Sequence, residues 1–186
     1  MGKLTYTAIT SLDGFVEDSD GRFDWGEPDA EVHSFINELL RPVGTYLYGR
    51  KLYEVMVAWD QPEAFAQDPP HIQEFARLWR AAEKVVYSRS LAAVSSSNTS
   101  LERKFSADGV LRRKLAAHSE MSIGGADLAS QAFGAGLIDE CRLLITPVVV
   151  GVGKPFLPRD LYLDLELLES THFASGVVYL RYKIKP

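Results

Sequence analysis

Apolar residues along the chain follow two different spacings, and the spacings alternate. Residues 3–9 (Lys-Leu-Thr-Tyr-Thr-Ala-Ile) are rich in β-branched and aromatic types and predict a first strand. After Pro28, the residues Val32, Phe35, Ile36, Leu39 and Leu40 recur every three or four positions. That is the period of a helix with one buried face, and Pro28 suits its first position. Further strands are predicted at 45–48, 84–87 and 120–123, and further helices at 51–57, 72–82, 110–117 and 127–133. Residues 140–150 read as one long apolar strand, and the tail from 161 to 185 as two β segments around 170–176. Residues 10–26, 62–70 and 95–100 carry neither period and read as loops. The first holds Asp13-Gly14 and Asp20-Gly21, pairs that turn a chain cheaply. A connection of that length inside a compact domain is often functional.

Strands alternating with helices predict an α/β fold in three layers, helices covering both faces of a mostly parallel sheet. The last two strands follow one another with no helix between, so they are expected as antiparallel edge strands. A length of 186 residues fits a single domain, 1–186, at about 150 residues per domain. The chain is 46% hydrophobic and 24% charged, the balance of a globular protein.

Charge and cysteine content narrow the function classes. A net charge of −5 argues against a nucleic-acid partner, which needs a clustered basic face. The lone cysteine, Cys141, rules out an intrachain disulfide and reads as a core thiol. The longest apolar stretch, 143–152, is interrupted by Thr146, Pro147 and Gly151 and falls short of the ~20 residues a membrane span needs. A cytoplasmic protein without membrane contact is expected. His33, His71, His118, His172 and Cys141 lack metal-ligand spacing, so no metal is expected.

The candidate chemistry lies where strands give way to helices, the place where open α/β sheets bind ligands. Three such turns suit phosphate. Tyr48-Gly49-Arg50-Lys51 combines a glycine, a helix start and two cations. Tyr87-Ser88-Arg89-Ser90 offers hydroxyls and a guanidinium. Ile123-Gly124-Gly125-Ala126-Asp127 places two glycines before a helix. Three phosphate-friendly turns at successive strand ends predict one ligand with several phosphates, such as a dinucleotide. The G-x-G-x-x-G and G-x-x-x-x-G-K-[ST] fingerprints are absent, so neither Rossmann-type nor P-loop binding is expected.

The order of these motifs resembles the dihydrofolate reductase-like superfamily, and within it the branch related to the reductase domain of bacterial riboflavin biosynthesis. The resemblance rests on Ser11-Leu12-Asp13-Gly14-Phe15, Gly49-Arg50-Lys51-Leu52-Tyr53-Glu54, Val86-Tyr87-Ser88-Arg89 and Ile123-Gly124-Gly125-Ala126. It continues through Leu144-Ile145-Thr146-Pro147 and Gly153-Lys154-Pro155-Phe156-Leu157-Pro158, and so spans nearly the whole chain. It implies an NADPH-dependent reductase acting on a small heterocycle, pyrimidine riboside- or pterin-like, and a homodimer. By the same resemblance Ala8 and Ile9 edge the nicotinamide, and the 11–15 loop closes over it. Gly49, Arg50 and Lys51 meet phosphates, Ser88, Arg89 and Ser90 lie near the adenosine and its 2′-phosphate, and Gly124, Gly125, Ala126 and Asp127 hold the pyrophosphate. Thr146 matches a residue on the substrate side.

Dihydrofolate reductases proper carry an acid in the first helix. Alignment on Trp25 and Pro28 puts Ala30 there, whereas alignment on Phe35 puts Glu31 there. Asp13, Glu31 and Thr146 are therefore the catalytic candidates, with Asp13, Glu31 or water as proton source. Asp13 also has a plainer reading as turn chemistry. His33 is expected to be exposed, and Glu54 to pair with Arg50 one helical turn away. The alternative function is a dinucleotide-binding protein without turnover.

Overall fold

The computed structural model describes residues 2–185. Its central strand, β1 (Leu4–Thr10), runs parallel to a neighbour on either side. The elements that follow are β2 (Phe15–Asp18), α1 (Ala30–Leu40), β3 (Val43–Gly49), α2 (Arg50–Met56), α3 (Pro70–Ala81), β4 (Glu83–Tyr87) and β5 (Thr99–Glu102). Then come α4 (Ala107–Ala116), β6 (Glu120–Gly124), α5 (Ala126–Gly134), β7 (Glu140–Ile145), β8 (Gly153–Pro155), β9 (Leu165–His172) and β10 (Val178–Ile184). Eight strands form the main sheet in the order β5-β4-β3-β6-β1-β7-β10-β9. The first six are mutually parallel, and β10 and β9 close one edge antiparallel, as the sequence predicts.

Alternation along the strands divides the core into two faces. Leu47, Val85 and Ile123 point to the side of Val110 in α4 and of Leu128, Ala129, Ala132 and Phe133 in α5. Tyr46, Tyr48 and Val86 point to the other side, against Trp79 of α3. There Val32 of α1 meets Leu144, Phe173 and Tyr179. Leu47, Val85 and Ile123 are wholly buried, each contributing about 1.5–3 kcal/mol.

Four expectations about element bounds are corrected. The 10–26 loop contains β2, which pairs antiparallel with β8, because buried Phe15 anchors a short strand among the Asp-Gly turns. The 95–100 loop gives way to β5, an edge strand whose polar residues face water and so leave no apolar period. The 140–150 strand stops at Ile145, just before Pro147, which has no N–H for a ladder. The first helix starts at Ala30, two residues after Pro28, because Asp29 caps it by accepting from the Val32 N–H at 2.9 Å.

His33 is buried, not exposed. It packs between His71, at a ring distance of 5.1 Å, and Phe75, at 5.4 Å, where α1 meets α3. Burial, and then the nearby His71, push its pKa below the usual value. Cys141 is fully buried, and burial raises its thiol to about 11. Arg50 pairs with Glu54 at 3.3 Å as expected.

At the end of the sheet opposite the strand C-termini, buried Glu140 accepts from Arg181 at 2.8 Å and pairs with Lys3 at 2.6 Å and Arg142 at 3.4 Å. Burial alone would raise its pKa, but Arg181 and Lys3 hold the carboxyl at about 2.

Candidate functional site

Beyond the C-terminal ends of β1, β3, β4 and β6 lies a crevice of about 910 Å³. That volume suits a large ligand. Its floor is β1, with Tyr6, Thr7, Ala8 and Ile9. The three phosphate-friendly turns converge on it. Gly49, Arg50 and Lys51 come from the β3–α2 junction, Ser88 and Arg89 follow β4, and Gly124 to Asp127 join β6 to α5. Of the twelve expected cofactor residues only Ser90 stays off the wall, its N–H turned back to the Ser88 hydroxyl.

The two glycines of the third turn are needed for different reasons. A Cβ at Gly124 would overlap the Leu52 side chain and press on the Tyr48 ring. Gly125 has φ +92°, a conformation that side chains oppose, and it sits at the start of α5. The turn therefore brings bare backbone and a helix start to the crevice wall.

Charge sharpens the picture. Six cations line the crevice (Arg50, Lys51, Arg89, Arg103, Lys104 and Lys154) against two carboxylates, Glu17 and Asp127. Both carboxylates are engaged: Asp127 with Lys154 at 2.7 Å and Glu17 with Lys51 at 3.8 Å. With a surplus of four positive charges in a chain of net charge −5, the crevice is locally positive and suited to an anion.

The small sheet of β2 and β8 borders the crevice with Val16, Glu17 and Lys154. Phe23, Trp25 and Gly26 continue the wall from a short 3-10 helix, Asp24–Gly26, and a Cβ at Gly26 would press on Ile9. The opening therefore has an apolar stretch, made by Val16, Phe23, Trp25, Leu52 and Val55, beside the phosphate-friendly turns.

The three catalytic candidates are not brought together in this space. Asp13 accepts from the Val150 N–H at 3.2 Å and the Gly151 N–H at 2.8 Å, tying its turn to the 148–152 loop. The Ser11 hydroxyl, and then those two amides, hold its carboxyl below the usual range. Glu31 accepts from the Ala174 N–H at 3.4 Å, at the turn between β9 and β10. The buried Thr146 hydroxyl donates to the Thr10 carbonyl at 2.9 Å. None of the three lines the crevice, and each makes a contact that fastens a loop or strand outside it.

Sequence reasoning missed Arg103, Lys104 and Phe105, which follow β5. With that segment read as a loop, nothing aligned them with the other strand ends. Trp25 also lines the crevice.

Comparison with known proteins adds to this geometry. The profile of the RibD C-terminal domain matches residues 2–179. A Bacillus subtilis strain 168 protein called YyaP, itself uncharacterized, is 32% identical over 188 residues, covering 97% of this chain and 94% of its own. Among solved structures, a putative riboflavin biosynthesis protein from Shewanella sp. PV-4 superposes with a TM-score of 0.76 at 20% identity, covering 99% of both chains. Dihydrofolate reductase from Enterococcus faecalis, solved with NADP(H), superposes at 0.64 and 13% identity, covering 100% of this chain and 98% of that one. The fold is therefore like that of dihydrofolate reductase. Among the described residues no helix is long and apolar enough to cross a membrane.

Proposed function

The chain belongs to the RibD C-terminal domain family, and on that premise we propose that it is an NADPH-dependent reductase acting on a small heterocyclic substrate, pyrimidine riboside- or pterin-like. The observation that carries this reading is the convergence of three strand-end turns, with a surplus of cations, on one crevice. The residues fit the cofactor: the bare backbone at Gly124 and Gly125 leaves room for a pyrophosphate, and the helix start of α5 offers it N–H donors. NADPH, when bound, supplies the hydride; the protein supplies position and a dry setting.

In this reading Ala8 and Ile9 edge the nicotinamide and orient its face. Gly49, Arg50, Lys51 and the 124–127 turn hold phosphates. Ser88 and Arg89 receive the adenosine end. Val16, Phe23 and Trp25 give the nicotinamide end an apolar wall, and the lowered local dielectric strengthens charge interactions there. With Asp13, Glu31 and Thr146 engaged elsewhere, the proton is assigned to water entering at the apolar mouth. The reading includes a homodimer in the cytoplasm; light scattering on the purified protein and cell fractionation check these two points.

Titration of NADPH tests the proposal. Replacing Arg50 and Arg89 together by Ala should raise Kd about tenfold or more, since each charged hydrogen bond contributes about 1.5–3 kcal/mol. Unchanged binding would overturn the phosphate assignment. A second reading, a dinucleotide-binding protein without turnover, is favoured by the engagement of both crevice carboxylates with lysines. Oxidation of NADPH with any pyrimidine or pterin acceptor, followed by its near-ultraviolet absorbance, decides against that second reading.

A further inference from the structure

We infer that a groove along the outer face of α3 is a second ligand site, built for a small carboxylate with an apolar body, and that the Arg80 guanidinium holds the carboxylate. This site lies outside the crevice and stands independently of the dinucleotide reading.

The groove runs between α3 and a short 3-10 helix, Pro62–Phe65, and encloses about 400 Å³. That is within the range of small-molecule pockets. It shares no lining residue with the crevice. Pro70, Gln73, Arg77 and Arg80 line it from α3; they recur every three or four residues and so share one face. The facing wall is apolar, made by Pro62, Phe65 and Ala66.

Two sets of contacts hold these walls in place. The Gln73 amide donates to the Asp68 carbonyl at 2.7 Å and to the Ala66 carbonyl at 3.4 Å, tying the segment before α3 to the helix. The Phe65 ring stacks on Trp59 at 4.4 Å, and Trp59 packs in turn on Phe75 of α3 at 4.7 Å. The groove is therefore preformed, and a ligand need not order it.

Charge decides what the groove takes. Three arginines and two glutamates meet along it. Arg41 pairs with Glu38 and with Glu74, each at 2.8 Å, and Arg77 reaches Glu74 at 3.8 Å. Arg80 stands outside this network. Among the described residues its guanidinium has neither an ion pair nor a hydrogen bond, and its Nη1 is buried without an acceptor. Its backbone carbonyl, by contrast, accepts from the Asn98 amide at 3.2 Å and from the Lys84 ammonium at 3.4 Å. A buried donor on a charged group is costly to leave unmet.

Three positive charges against two negative ones leave one, and it falls on Arg80. The site therefore calls for a single negative charge. A carboxylate carries that charge, and its two oxygens match the guanidinium fork. A phosphate monoester carries a second charge, which Glu74 in the wall opposes. Pro62, Phe65 and Pro70 then cover the apolar body of the ligand.

The test is titration of benzoate into the isotope-labelled full chain, with and without NADPH, followed by amide chemical shifts. Shifts should appear at residues 63–66 and 73–80, should saturate, and should be unaffected by NADPH. Arg80→Met should weaken benzoate by about tenfold, the loss of one charge-assisted pair. Arg80→Lys, which keeps the charge without the fork, should weaken it by about threefold and serves if Arg80→Met fails to fold. Benzyl alcohol, of the same shape without the charge, and phenyl phosphate should both bind more weakly than benzoate. The inference is overturned by benzoate that moves no amide in the groove, that NADPH displaces, or that binds the Arg80 variants as tightly as the wild type. Equal or tighter binding of benzyl alcohol or phenyl phosphate overturns it too. Each of these outcomes leaves the cofactor reading intact, because NADPH binding is followed at the crevice.

Discussion

Gly125 shows what a single residue contributes here. Its φ of +92°, at the start of α5, is a conformation that would strain any side chain even though there is space for a Cβ. Gly125→Ala should cost about 1–3 kcal/mol, read as a lowered denaturation midpoint, and should also weaken NADPH binding. Cys141 makes the opposite case. With its thiol pushed up to about 11 by burial, it should resist a thiol reagent in the native protein and react only once the chain is unfolded. Gly124, Gly125, Ser88 and Arg89 were legible in the sequence because their meaning is local: each lies within two residues of a strand end. The destination of Asp13 was not legible. Its partner Val150 is 137 residues away, and no local pattern announces that contact. Asp13→Ala should speed amide exchange at Val150 and Gly151 and leave the NADPH Kd unchanged; a large loss of affinity would show that the tie shapes the crevice as well.

Elements were legible in proportion to their burial. β1, β3, β4 and β6 announce themselves because parallel central strands are apolar on both faces. β5 does not, since its exposed edge takes polar residues, and with it went Arg103 and Lys104. β2 and β8 are too short to show a period at four and three residues. The contact between α1 and α3 was hidden for a different reason: histidine reads as a surface residue until its neighbours are known. His33 sits there with its Nδ1 buried and unpartnered, among His71 and Phe75. Its folded pKa lies below the unfolded value of about 6.5, so in the window beneath 6.5 the unfolded chain binds more protons. The packing contribution of His33 is therefore complete above that value and is lost as pH falls through the window. Chemical denaturation from pH 7.5 to 5 should show stability falling, and His33→Phe should flatten the slope, with His71 and Glu74 as the other ionisable groups at this contact.

At the scale of the whole molecule the sheet carries opposite arrangements at its two ends. The far end is closed by Glu140, which gathers Lys3, Arg142 and Arg181 from β7, β10 and the residue before β1. Its carboxyl at about 2, against an ordinary 4.5, contributes stability above the upper figure that is lost as pH falls toward the lower one. Glu140→Gln should cost about 1–3 kcal/mol at neutral pH, because Lys3 and Arg181 lose their shortest ion pairs, and should blunt acid unfolding between those values. The near end is the open crevice, and a ligand that binds only the folded state should stabilise the chain. At a concentration about 100 times Kd, NADPH should add about 2.7 kcal/mol, seen as a melting temperature that climbs with ligand concentration. The salt link between Lys154 and Asp127 acquires a further meaning in this setting. It joins the small sheet to the start of α5, where an incoming phosphate would lie. Asp127 thus serves as a resident counterion, occupying Lys154 until another anion takes over. The link is exposed on the carboxylate side and worth less than about 1 kcal/mol, so the exchange is nearly free. Entry then exchanges the partner of Lys154 and turns the exposed Asp127 carboxylate back to solvent, so Lys154 itself is never left without a counterion.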